Sequence, residues 1–128
     1  MNGLRFADDV LDRLQRRGDG YDERAYLFVL AAIQFLQTRL PERRHVSGAE
    51  LTLACRDFAF DQYGLLARTV LEFWGIKGTE DFGRIVFSLV DVGLLITQPT
   101  DRAEDFQAVY SFDQAFDDAY VWQGLPGA

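Results

Sequence analysis

One cysteine, one histidine and three prolines are all that 128 residues hold of the types that build disulfides, metal sites and rigid turns. A lone Cys55 excludes an internal disulfide. A zinc site wants about four Cys, His or carboxylate ligands at close spacing, and here nearly all would have to be Asp or Glu. No metal and no cofactor is expected. Cys55 shares a helical face with Leu51, Phe58 and Ala59, which reads as a small core residue. A Cys–His nucleophile would need His45, ten residues upstream and roughly 15 Å away if the intervening chain were helical. That distance keeps the two apart, so no catalytic residue is assigned.

Basic residues are also scarce: thirteen Lys and Arg face twenty Asp and Glu, a formal charge of −7. Such a balance repels nucleic acid and anionic membrane surfaces unless the few bases gather on one face. A protein partner or a second copy of the chain is therefore the expected partner, and nucleic acid is not. The longest apolar run, Ala25 to Ile33, has nine residues, less than half of the roughly 20 that cross a bilayer. The first residues lack the apolar stretch of a secretory signal. The expectation is a cytoplasmic protein that is not inserted in a membrane.

What the chain has in quantity is apolar and aromatic side chains, 48% and 14% of the sequence, with eleven Phe. That suffices for one core, and the pattern predicts a single, mainly α domain over residues 1–122 with a frayed tail over 123–128. Five to six helices and a small β-hairpin near the C-terminus are expected. Phe6, Val10, Leu11 and Leu14 form the apolar face of an amphipathic helix that Asp8-Asp9 open and Arg13, Arg16 and Arg17 close, in line with the helix dipole. Asp22 caps a helix that is apolar nearly all round, which places it centrally, and Pro41 ends it near Leu40. Ser47-Gly48-Ala49-Glu50 is a capping box opening a helix with Leu51, Ala54, Cys55, Phe58 and Ala59 inward. Tyr63-Gly64 marks a break. A short helix follows with Leu66, Val70, Leu71, Phe73 and Trp74, closed by Gly75, with Ile76 folding back as a latch.

Thr79 reads as the next cap, with Glu80 and Asp81 in the first turn and Phe82, Ile85, Val86, Leu89 and Val90 as a helical stripe ending at Gly93. Gly83, inside that helix, costs about 1 kcal/mol relative to Ala, which predicts close approach of another backbone. Leu94 to Thr97 and Phe106 to Phe112 look like two strands across a polar loop, and Asp113 could cap a last short helix with Ala115, Phe116 and Tyr120. From Thr79 to Phe112 this order resembles a winged-helix domain, with the helix before the hairpin in the recognition position. The bases that DNA contact requires do not accompany it: Arg84 stands against Glu80, Asp81 and Asp91, and Arg102 against Asp101, Glu104 and Asp105.

A second resemblance covers more of the chain. The segments Ala25 to Leu30, Arg44 to Leu51, Tyr63 to Leu71, Trp74-Gly75-Ile76 and Thr79 to Gly83 resemble a family of conserved hypothetical proteins named for Verrucomicrobia and Planctomycetes. The likeness runs from about Tyr21 to about Phe116. It implies a bacterial source and carries no activity, so no functional residue follows from it.

Two places remain as candidate sites. Arg43, Arg44 and His45 precede the Ser47-Gly48 amides, and a helix N-terminus with nearby bases can hold a phosphate or carboxylate. The alternative is that the arginines are solvated or paired with acids while His45 fixes the loop. The aromatics Phe60, Tyr63, Phe73, Trp74, Phe87 and Trp122 exceed what one small core obviously needs, and Tyr63, Phe73, Trp74 and Trp122 are the candidate interface. Acid pairs at helical spacing, Asp57/Asp61 and Asp113 with Asp117 and Asp118, are read as a solvated face. The window Asp101 to Asp118 holds six acids and one base, and is read as a solubilising or partner-facing surface. The function expected is a non-catalytic protein–protein module, an accessory subunit or homodimeric scaffold. A winged-helix-like regulator and an enzyme using carboxylates are the alternatives.

Overall fold

The computed structural model describes residues 12–14, 16 and 20–118. The chain is mainly helical: α1 spans Glu23–Arg39, α2 Gly48–Tyr63, α3 Ala67–Phe73 and α4 Thr79–Asp91. Single 3-10 turns cover Gly64–Leu66 and Ala103–Phe106, and a π-helical turn covers Asp113–Asp118. Residues 12–14 and 16 are helical too, with Leu14 buried and the Arg13 guanidinium donating to the Val92 carbonyl at 3.3 Å. The rest of the first amphipathic stretch, Phe6, Val10 and Leu11, lies outside the described residues, as do Tyr120, Trp122 and the tail.

Local chemistry sets most helix ends. Asp22 accepts from the Arg24 amide at 2.9 Å, and Leu40 is extended before Pro41. The capping box forms as expected: Ser47 Oγ accepts from the Glu50 amide at 3.1 Å, and Glu50 Oε1 accepts from the Ser47 amide at 2.9 Å. At the end of α3, Gly75 takes φ 98°, a conformation that favours glycine, and the Ile76 amide reaches back to the Leu71 carbonyl at 2.9 Å. Ile76 is fully buried by that closure. Gly93 ends α4 in the same way, through Leu94 to Leu89.

Packing places α1 against α2 and α4, and α2 against α3, around Tyr26, Leu71, Ile76, Phe82, Ile85 and Leu89. Cys55 belongs to this core, and burial pushes its thiol pKa far up. Two ring clusters fill it. Phe28 meets Phe58 and Trp74, and Trp74 meets Tyr63; elsewhere Phe112 packs edge-on to Phe116, which meets Phe60. No helix among the described residues is long and apolar enough to cross a membrane.

Three expectations are corrected. The hairpin is absent: no strand occurs among the described residues, and the Leu94–Thr97 and Phe106–Phe112 segments run as loops and turns. The amides of the second segment find other acceptors, Ala108 donating to Glu80 Oε1 at 3.0 Å and Val109 to Thr79 Oγ1 at 3.3 Å. Those bonds replace a strand partner, and without a strand pair these segments form no wing. Thr79 is accordingly the buried first residue of α4 and not its cap; Gly78 is the cap residue. The cap amides of Lys77 and Gly78 both donate to Asp81 Oδ2, at 2.7 and 3.1 Å. Finally, α1 is not buried all round. Leu27 is 44% exposed and Ala31 is exposed, because neighbours cover the side that carries Ala25, Tyr26, Phe28, Val29 and Ala32.

Candidate functional site

The segment after α4 is anchored by one ring. Phe106 is buried between α2 and α4, where each helix presents a glycine: a Cβ on Gly48 or on Gly83 would come within 2.9 Å of the Phe106 ring. The close approach that Gly83 requires is therefore made by an aromatic side chain, not by a backbone. Tyr110 supplies a second anchor by donating to the Thr52 carbonyl at 2.9 Å, while Thr52 donates its own hydroxyl to Gly48 at 2.6 Å.

Beside Phe106 the anchoring leaves a cavity of about 180 Å³. Ile33 of α1, Leu51 of α2 and Val86, Phe87 and Val90 of α4 form its apolar wall, with Leu95 and Ile96 of the following loop at its edge. Its mouth is polar, with Arg44, His45, Ser47, Asp101 and Asp105. Phe87 and Phe106 meet edge to face in this wall, 6.3 Å between centroids.

The cavity mouth contains most of the expected anion site. Arg44, His45, Ser47 and Gly48 come together there, while Arg43 is exposed and does not line it. Their bonding partners lie within the chain. Gln37 holds the Arg44 backbone from both sides, at 2.6 and 3.2 Å. The Arg44 guanidinium pairs with Glu50 at 2.7 Å and also donates to the His45 carbonyl. Glu50 is held at a pKa of about 2 by Arg44 and then by the Ser47 amide. Two of the groups that would hold an external anion, the Ser47 amide and the Arg44 guanidinium, thus already serve Glu50. His45 Nε2 lies 3.0 Å from Asp101 Oδ1, which ties the loop before α2 to the loop after α4. Asp101 Oδ2 accepts from the Gln98 amide, and Asp105 Oδ2 from the Arg102 amide.

The candidate interface residues separate. Trp74 is buried at 6% exposure, Tyr63 is half-buried against it, and Trp122 lies outside the described residues. Of the three described residues only Phe73 projects, 75% exposed, with the Arg24 guanidinium 5.7 Å from its ring. Leu65 and Leu66, at 76% and 62% exposure, open the same short stretch. Leu65 and Leu66 belong to the 3-10 turn that leads into α3, and Phe73 is the last residue of α3.

Sequence reasoning missed Phe87, Asp105 and Phe106 as site residues. Gly48 and Gly83 were the available signal, two helical glycines facing a common ring. Among the described residues, no three His, Cys, Asp or Glu side chains cluster as metal ligands would. Neither the family models, the curated proteins nor the solved structures compared with the chain yield a match.

Proposed function

We propose that the chain is a non-catalytic protein–protein interaction module, docking through the apolar ridge of Leu65, Leu66 and Phe73 as an accessory subunit or a homodimer. The observation that carries this reading is the exposure of those three large apolar side chains, 76%, 62% and 75%, within nine residues. Water-exposed apolar side chains grouped in one short stretch mark interaction surfaces, and the Arg24–Phe73 contact adds the Arg and aromatic pairing enriched there.

Charge supports a protein partner over nucleic acid. Twenty acids against thirteen bases leave the chain at −7, and Arg24, Arg44, Arg56, Arg68 and Arg84 each already pair with a carboxylate, which weakens any hold on phosphates. A cytoplasmic bacterial setting belongs to the same proposal.

The test is the mass in solution by sedimentation, together with affinity capture from the native host, for the natural chain and for the Leu66→Ser/Phe73→Ser double variant. The natural chain is expected to form a dimer or a reproducible complex that the double variant loses while keeping its melting temperature. A monomer with no reproducible partner would overturn the proposal.

A further inference from the structure

We propose that the cavity beside Phe106 is a binding site for a small aromatic primary amine, with the ring packed against the Phe87–Phe106 pair and Val86 and the ammonium group at Asp105. The site is separate from the Leu66–Phe73 ridge, so either proposal can fail without the other.

Size sets the body of the ligand. An apolar cavity of about 150 Å³ holds one benzene, so the ≈ 180 Å³ here admits one ring and a short tail. Wall chemistry selects an aromatic ring. Phe87 and Phe106 already meet edge to face, and a third ring can extend that arrangement, whereas an alkyl chain gains only burial.

The mouth sets the polar end. Of its charged side chains, Arg44 is engaged by Glu50 and His45 by Asp101, and the second oxygen of Asp101 takes the Gln98 amide. Asp105 is half-buried and uses only Oδ2, for the Arg102 amide at 3.1 Å. Its Oδ1 is the acceptor without a partner among the described residues, at the edge of an apolar wall. A carboxylate there favours a cation with donors to give and disfavours a carboxylate ligand, and the −7 charge of the chain acts in the same sense.

Calorimetric titration of the full chain with 2-phenylethylamine tests this, with phenylacetate as the anion of matching shape and ethylamine as the cation without a ring. Saturable one-site binding of 2-phenylethylamine is expected, with the other two at least about tenfold weaker. Asp105→Asn retains an acceptor for the Arg102 amide and should weaken 2-phenylethylamine by about tenfold or more. Val90→Phe fills the cavity from the wall and should abolish binding; the melting temperature of each variant shows that it is folded. Amide chemical-shift changes must centre on residues 86–90 and 105–106. Absence of saturable binding, tighter binding of phenylacetate, or unchanged affinity in folded Asp105→Asn would overturn the proposal.

Discussion

Gly83 and Phe106 are in contact so close that a single added methyl does not fit: a Cβ on Gly83 would stand 2.9 Å from two ring carbons. Gly83→Ala removes a helix penalty of about 1 kcal/mol yet overpacks the site, which typically costs 1–3 kcal/mol. The net expectation is destabilisation by about 1 kcal/mol, read as a lower urea midpoint. Phe106→Ala should cost about 3–5 kcal/mol. In the double variant the new methyl enters space the ring has left, so the cost should fall below the sum of the two single changes. Strict additivity would show that the ring and the glycine are not coupled.

Glu50 connects the α2 cap to the Arg44 loop, and its charge should be visible in acid. Its pKa is depressed from 4.5 to about 2 by Arg44. The stability it contributes is therefore present above its unfolded value of 4.5 and is lost as pH falls through about 2. Glu50→Gln keeps a capping acceptor but not the charge. It should cost under about 1 kcal/mol at neutral pH, because both partners are well exposed. Near pH 2 that cost should vanish. Ser47→Ala should cost about 1 kcal/mol at both pH values. Urea melts at the two pH values decide it, and a Glu50→Gln cost that does not change with pH would show that the ion pair contributes nothing.

Burial raises the pKa of Cys55 and of Tyr110 well above their ordinary values of 9.0 and 10.0. For an acid raised in the folded state, the unfolded chain releases its proton first, so stability is full below those values and falls as pH rises past them. Unfolding midpoints should accordingly drop from about pH 9 upward. Tyr110→Phe should remove part of that slope, and at neutral pH should cost about 1 kcal/mol for the lost bond to the Thr52 carbonyl. A thiol reagent should label Cys55 only on unfolding; rapid labelling of the native chain would contradict its burial.

Helix ends were the most legible part of the chain. Asp22, the Ser47–Glu50 box, Pro41, Gly75 and Gly93 each act within about four residues of themselves, so their bonding is written in adjacent sequence. The stripe of Phe82, Ile85, Val86 and Leu89 was legible for a related reason, since one face of a helix must be covered. Sequence by itself thus determined the helices, the core face of α4 and the burial of Cys55.

Tertiary structure decided the rest, because it depends on groups far apart in the chain. The Phe106–Phe112 segment has the local pattern of a strand, but its amides are taken by Glu80 and Thr79, 28 and 30 residues earlier, and its ring fits a notch made by two distant glycines. Which aromatics remained outside followed from which neighbours arrived: Trp74 found Phe28 and Tyr63, while Phe73, one residue before it, faces water beside Arg24. The cavity exists only where α1, α2, α4 and the loop after α4 converge, and periodicity within any one of them carries no record of that meeting.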